Sequence, residues 1–315
     1  MSTPGVGVSP NPAQSGQAVV DPFAGLDFGR LELSLYRPRT FLNGLFSLVV
    51  AAMTFLALVP LFAVLWMVIW RGGKKLSLAL FTQLPPAPLE QGGGFGNAIV
   101  GTLLMVGIAT IITLPLGILT AVYVAQHKDT RLSAAVRFSA KVLTGFPSIL
   151  AGVFAYGVIV LNTGGYSAIA GGIALSILML PTIILTAENA ISMVPPKMKE
   201  AAIGLGATNT QTVWMVLLPT AMPGILTGVM LAVARAAGET APLLFTALFS
   251  NYWLVSHGRA NLMQPVASLA VLIYNFSGMP FANQVELAWA AALVLVLLVL
   301  VTNLIGQSFS SRQIQ

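Results

Sequence analysis

A chain of 315 residues that is 57% hydrophobic and only 8% charged, against about 25% charged in ordinary soluble domains, has too little polar surface to coat a water-soluble globule, so the bilayer must be its solvent. Its net charge of +6 comes from cations scattered singly or in twos and threes around apolar runs, a pattern of membrane topology that excludes a nucleic-acid-binding stripe. The absence of cysteine excludes a disulfide framework, a thiolate nucleophile and a thiolate metal site, and the two histidines, His127 and His257, stand far apart beside polar segments, so no metal is expected.

Residues 1–29 are rich in Pro, Gly and Ser and carry no Lys or Arg; they read as a disordered cytoplasmic tail, not a signal peptide. From 30 to 315 the chain reads as one all-α, polytopic membrane domain. A first span over 40–70 is entered behind Arg30, Arg37 and Arg39 and left through Trp66 and Trp70 toward Arg71, Lys74 and Lys75, a tie in cations that does not orient it. After Pro85, Pro86 and Pro88 comes a glycine run at Gly92, Gly93, Gly94 and Gly96. No Gly-x-x-x-x-Gly-Lys-Ser/Thr occurs anywhere, so no nucleotide is bound by this chain itself.

A second span over 97–126 contains Pro115 and is followed by a net-basic cytoplasmic loop with Lys128, Asp129, Arg131 and Arg137. A third, over 142–161, begins with Thr144-Gly145-Phe146-Pro147-Ser148. There Pro147 is either the first turn of a helix or a break that lines a wet pathway. The fourth span, 168–194, is bent at Pro181. Near its end Glu188 either faces a pathway or reaches the interface, two turns from Pro195.

The loop at 195–222 carries the most information. Pro195-Pro196-Lys197 begins a short helix that Gly204 and Gly206 end, and Thr208 with Gln211 has capping-box spacing, so a second helix begins at once and meets Pro219 and Pro223. The outcome is a compact helix-turn-helix between two spans, a rigid docking element. The fifth span, 221–249, has no charge other than Arg235 and Glu239. One charge near the centre of a membrane helix costs about 2.5 to 3.5 kcal/mol, so a chain that keeps two has a use for them. Beyond it, 251–286 reads as an outer loop whose apolar stretch at 266–276 is too short to span and forms an interfacial or re-entrant helix. The last span, 287–305, is expected to contact lipid broadly.

Glu200-Ala201-Ala202, then Gly206, then Val216, Leu218 and Pro219 resemble the EAA loop of ABC-importer permeases, with Val216 in place of the pattern's Ile. Within that family, ARAAGETAPLLFTA at 234–247, GGGFGNAIVGTLL at 92–104 and GFPSILAGVFAYG at 145–157 are similar to the phosphate-transport permeases of the PstA type. The resemblance implies a coupling helix at Glu200, Ala201, Ala202, Gly206, Leu218 and Pro219 that inserts into a cytoplasmic ATPase. It also implies a paralogous permease subunit as partner, two ATPase subunits that carry ATP and Mg, an extracytoplasmic phosphate-binding protein, and inorganic phosphate as cargo. No cofactor is expected on this chain, and no catalytic residue. With both termini inside and six spans, ten cations are cytoplasmic (Arg30, Arg37, Arg39, Lys128, Arg131, Arg137, Lys141, Lys197, Lys199, Arg312) and four are outside (Arg71, Lys74, Lys75, Arg259).

Arg235 and Glu239, four apart, can bond to each other. The pair is either structural glue between helices or the contact for a tetrahedral oxyanion, which a guanidinium binds bidentately. Thr240 and Ser148 complete the expected substrate path. Sulfate or molybdate in place of phosphate, and a secondary transporter, are the alternatives. An intramembrane enzyme is disfavoured, because no His-Glu-x-x-His, cysteine or serine with a histidine in its span is present.

Overall fold

The computed structural model describes residues 38–256 and 259–311, and divides into one unit that ends at Phe62 and another that begins at Ala63. The 1–29 tail, Arg30, Arg37, His257 and Arg312 lie outside the described residues, as do the side chains of Arg39 and Arg259. Five helices are long and apolar enough to cross a bilayer: α1 (Pro38–Gly73), α3 (Gly96–Gln126), α6 (Ala168–Ser192), α8 (Asn209–Gly238) and α11 (Ala282–Ser311). A bent pair, α4 (Arg131–Thr144) and α5 (Ser148–Thr163), angled at 105°, raises the number to six if it is one span. The remaining helices are short: α2 (Ala79–Thr82), α7 (Pro196–Gly204), α9 (Ala241–Thr246) and α10 (Leu269–Ser277). A two-residue antiparallel ladder pairs β1 (Val255–Ser256) with β2 (Arg259–Ala260). From Phe41 to Phe62 the apolar side chains of α1 are exposed, as suits a helix whose solvent is lipid.

Helix α6 is the hub of the second unit. It packs along α3 on one side and α8 on the other, and small residues set both approaches. A Cβ on Gly172 would meet the Ile108 side chain of α3 at 2.6 Å, and one on Gly228 would collide with Thr186 of α6. Met105, Leu175, Met179, Ile183, Ile225 and Val229 form the shared core.

Two stretches differ from the sequence expectation in their boundaries. The net-basic segment after α3 is not a loop but helix α4, whose Thr130 side chain caps it by accepting from the Ser133 N–H at 3.2 Å. The third apolar run therefore does not begin at 142. The chain turns at Gly145-Phe146-Pro147, and Pro147 sits at the N-cap of α5, which is the helix-start alternative. The Leu143 carbonyl still finds a donor, the N–H of Phe146 at 3.2 Å.

The fifth run also starts earlier and stops sooner than 221–249. Pro219 does not end a helix. A π-helical turn at Val213–Leu217, in which the Leu218 N–H reaches back to the Val213 carbonyl, absorbs the local break and carries α8 from Asn209 to Gly238. At the other end Pro242 has no N–H for the Gly238 carbonyl, and Glu239 is extended (φ −73°, ψ 127°). The run is thus two helices with a break at Glu239 and Thr240.

The short helix α10 is capped by Ser268, and Leu269, Val271 and Leu272 are fully buried. Its Leu269 N–H donates to Thr102 of α3 at 2.9 Å, so its first turns are enclosed by protein instead of lying at a lipid interface. Helix α11 buries Leu287, Ala288, Ala290 and Ala291 in its first half, where it packs on α10, and its Gly306 lies against Met230 of α8. Only its second half, from Leu297 to Ile305, is broadly exposed.

Candidate functional site

Arg235 stands in the last turn of α8 and Glu239 at its C-cap. A cation in that turn complements the negative end of the helix. The Nε of Arg235 donates to Glu239 Oε1 at 3.4 Å, the long limit of a hydrogen bond. The side chains are 44% and 16% exposed. Among the described residues the two η nitrogens of Arg235 have no protein partner, so their four N–H donors remain open.

Packing of the next helix holds the break open. Helix α9 packs on α5 and α6, and the Thr246 carbonyl accepts the N–H of Ser167 at 3.0 Å. Gly152 of α5 lies against the backbone of Pro242: a Cβ there would come within 2.6 Å of the Pro242 Cα. Ser148 opens α5 one turn before Gly152, and Thr240 stands two residues before Pro242. The structure brings Arg235, Glu239 and Thr240 together and joins their element to that of Ser148 through this glycine–proline contact.

Glu188 has a different environment. It is buried and paired with the Nε of Arg137 from α4, 51 residues away, while the η nitrogens of Arg137 donate to the carbonyls of Lys128 and Val124, both at 3.2 Å. This guanidinium is fully employed as a clamp between α3, α4 and α6. Arg137 was not foreseen as the partner of Glu188. The signal was present in the apolar spacing of Leu132, Val136 and Leu143, which marks 131–144 as an amphipathic helix.

The second group of expected residues forms a knob. Helix α7 carries Glu200, Ala201 and Ala202, of which Ala202 is buried and the other two exposed. Gly206 turns the chain with φ +90°, a left-handed conformation that glycine adopts without penalty. The capping box is complete: the Gln211 N–H donates to Thr208 Oγ1 at 3.3 Å and the Thr208 N–H to Gln211 Oε1 at 2.9 Å. Leu218 is buried and Pro219 exposed on the second helix, directly after the π turn. Lys199 ties the knob to the end of α3 by donating to Gln126 Oε1 at 2.7 Å.

Long apolar helices around a hub, a charged pair at a helix break and a rigid polar knob between two spans define the class: a multi-pass transport permease. Residues 113–315 match the family model described as binding-protein-dependent transport system inner membrane component, and the chain belongs to that family. It is 40% identical over 260 residues to the phosphate transport system permease protein PstA of Yersinia pestis, covering 80% of this chain and 86% of that protein. To the PstA of Haemophilus influenzae it is 41% identical over 247 residues, 78% and 86% of the two chains. To the probable PstA of Methanocaldococcus jannaschii it is 35% identical over 264 residues, 83% and 91%. Among solved structures, the inward-facing MetNI methionine ABC transporter matches with a TM-score of 0.53 at 21% identity, over 68% of this chain and 91% of that one. This last likeness is one of fold.

Proposed function

We propose that the chain is the membrane permease subunit of an ATP-driven phosphate importer, and that it lines the translocation path by alternating access. The observation that carries this reading is the Arg235 guanidinium, placed at a helix break and held by a single long bond, in a chain whose relatives are named as phosphate permeases. Its free fork suits the oxygens of a tetrahedral anion. Glu239 beside it accepts from the P–OH that phosphate keeps at neutral pH and repels sulfate, which has none. Thr240 and Ser148 supply hydroxyls on the two elements that meet at Gly152 and Pro242.

The knob with Glu200, Ala201, Ala202, Gly206, Leu218 and Pro219 is the coupling element for a cytoplasmic ATPase. In this reading both termini are inside, a paralogous permease completes the pore, two ATPase subunits hold ATP and Mg, and an extracytoplasmic binding protein delivers phosphate. The chain itself holds no cofactor and catalyses no reaction. Phosphate uptake by the reconstituted complex is the test. Uptake should require ATP, and Arg235→Lys should cut it by about tenfold or more with the complex still assembled, since an ammonium cannot reproduce the fork. Full uptake by Arg235→Lys would defeat the assignment. Glu239→Gln should raise inhibition by sulfate, and an unchanged anion preference would remove its selectivity role.

A further inference from the structure

A cavity of about 440 Å³ opens beside the knob, where the last turns of α3 meet α7 and the first turns of α8. Its lining mixes polar side chains, Lys199, Gln126, His127 and Thr210, with apolar ones, Leu119 and Trp214. Lys199 spends one ammonium donor on Gln126 and has two left. Among the described residues it forms no ion pair, and no Asp or Glu lines the cavity, so its charge is uncompensated there. The ring of His127 is fixed by stacking on Tyr123 at 4.6 Å and by its Nδ1, which donates to the Tyr123 carbonyl at 3.1 Å.

The apolar lining does not stop at the cavity. Leu116 and Leu119, three residues apart on α3, are each 53% exposed and extend apolar surface from the cavity along the helix. Helix α3 has 31 residues, about 46 Å at 1.5 Å per residue, longer than a hydrocarbon core of about 30 Å, so its ends reach headgroup depth. Tyr123 and Trp214 are the aromatic side chains expected at that level. A cation at headgroup depth beside exposed apolar surface matches an anion with a phosphate and an acyl tail.

We propose that this cavity binds a phosphate-bearing anion at Lys199, with an anionic phospholipid as its main source and free phosphate as the other. The site stands on the cavity alone and does not depend on the transported cargo. Lys199 precedes Glu200 directly, so an occupant held by its two remaining donors would sit beside the knob.

Native mass spectrometry of the whole delipidated complex, titrated separately with phosphatidylglycerol, phosphatidylcholine and inorganic phosphate, tests the proposal. Phosphatidylglycerol should bind saturably, and Lys199→Gln should weaken it about fivefold, the contribution of one lysine near a membrane surface, with phosphatidylcholine unaffected. Thr210→Glu, which adds a carboxylate to the cavity wall and leaves the Lys199–Gln126 bond in place, should weaken it as well. Lys197→Gln, on the same helix but outside the cavity lining, should not. Inorganic phosphate binding that alone depends on Lys199 would keep the site and assign it to the free anion. Equal losses in Lys197→Gln and Lys199→Gln, or no dependence on Lys199 for either anion, would overturn the site.

Discussion

Arg137–Glu188 and Arg235–Glu239 are both arginine–carboxylate pairs in apolar surroundings, and they differ in what else each guanidinium holds. Arg137 also donates to two main-chain carbonyls and its partner is buried, so each of its three nitrogens is engaged within the protein. Arg235 is half-exposed and holds one oxygen at 3.4 Å. Removal of one member of a buried pair leaves the other charge without a counterion, which costs about 3 to 5 kcal/mol. Glu188→Gln should therefore lower the thermal stability of the purified complex by about 3 kcal/mol, whereas Glu239→Gln should change stability by less than about 1 kcal/mol and be felt in transport. Differential unfolding measured on both variants checks this. A Glu188→Gln complex as stable as the parent would mean that water reaches the Arg137 pair.

The contact between α5 and α9 makes a comparable division among glycines. A Cβ on Gly152 meets main chain at Pro242, and backbone cannot move aside as a side-chain tip can; a Cβ on Gly157, on the same helix, meets nothing within 4 Å. Gly152→Ala should thus cost about 1 to 3 kcal/mol of overpacking and slow uptake, because the element it displaces begins two residues after Glu239. Gly157→Ala should be neutral or stabilising, since alanine is the better helix residue. Melting temperature and uptake rate, measured side by side, separate the two. Much of this architecture was legible beforehand: the long apolar runs placed five helices, and Thr208 with Gln211 announced the start of α8. Pro219 misled because a proline reads as a stop, and a π turn that absorbs it leaves no composition signal. Glu188 could not be paired from its own neighbourhood, because its partner lies 51 positions away and meets it only once α4 folds across α6. Arg235 and Glu239 were legible for the opposite reason, as the only charges in their run. That the helix ends between them followed from Pro242 only in part, since a proline permits a break without requiring one.

In the reading proposed above, energy from the ATPase enters the assembly through the knob, whose geometry rests on one residue. Gly206 has φ +90° and donates its N–H to the Ile203 carbonyl at 2.9 Å, while Ala207 donates to the Ala202 carbonyl at 3.0 Å. These two bonds close α7 and aim the chain at the Thr208 cap. Proline at 206 fails twice, because its ring fixes φ near −65° and it has no N–H to give. Alanine keeps the N–H and pays only for the left-handed backbone, about 1 to 2 kcal/mol. If the knob couples nucleotide hydrolysis to transport, Gly206→Pro should abolish phosphate-stimulated ATPase activity or release the ATPase. Gly206→Ala should retain an assembled complex with reduced coupling. Neither should disturb the membrane helices, since a Cβ at 206 meets nothing within 4 Å and the α3–α6–α8 core lies elsewhere. Copurification of the ATPase, ATP turnover and helical content read these three consequences separately. Normal ATPase recruitment and coupled uptake in Gly206→Pro would place the coupling contact outside the knob.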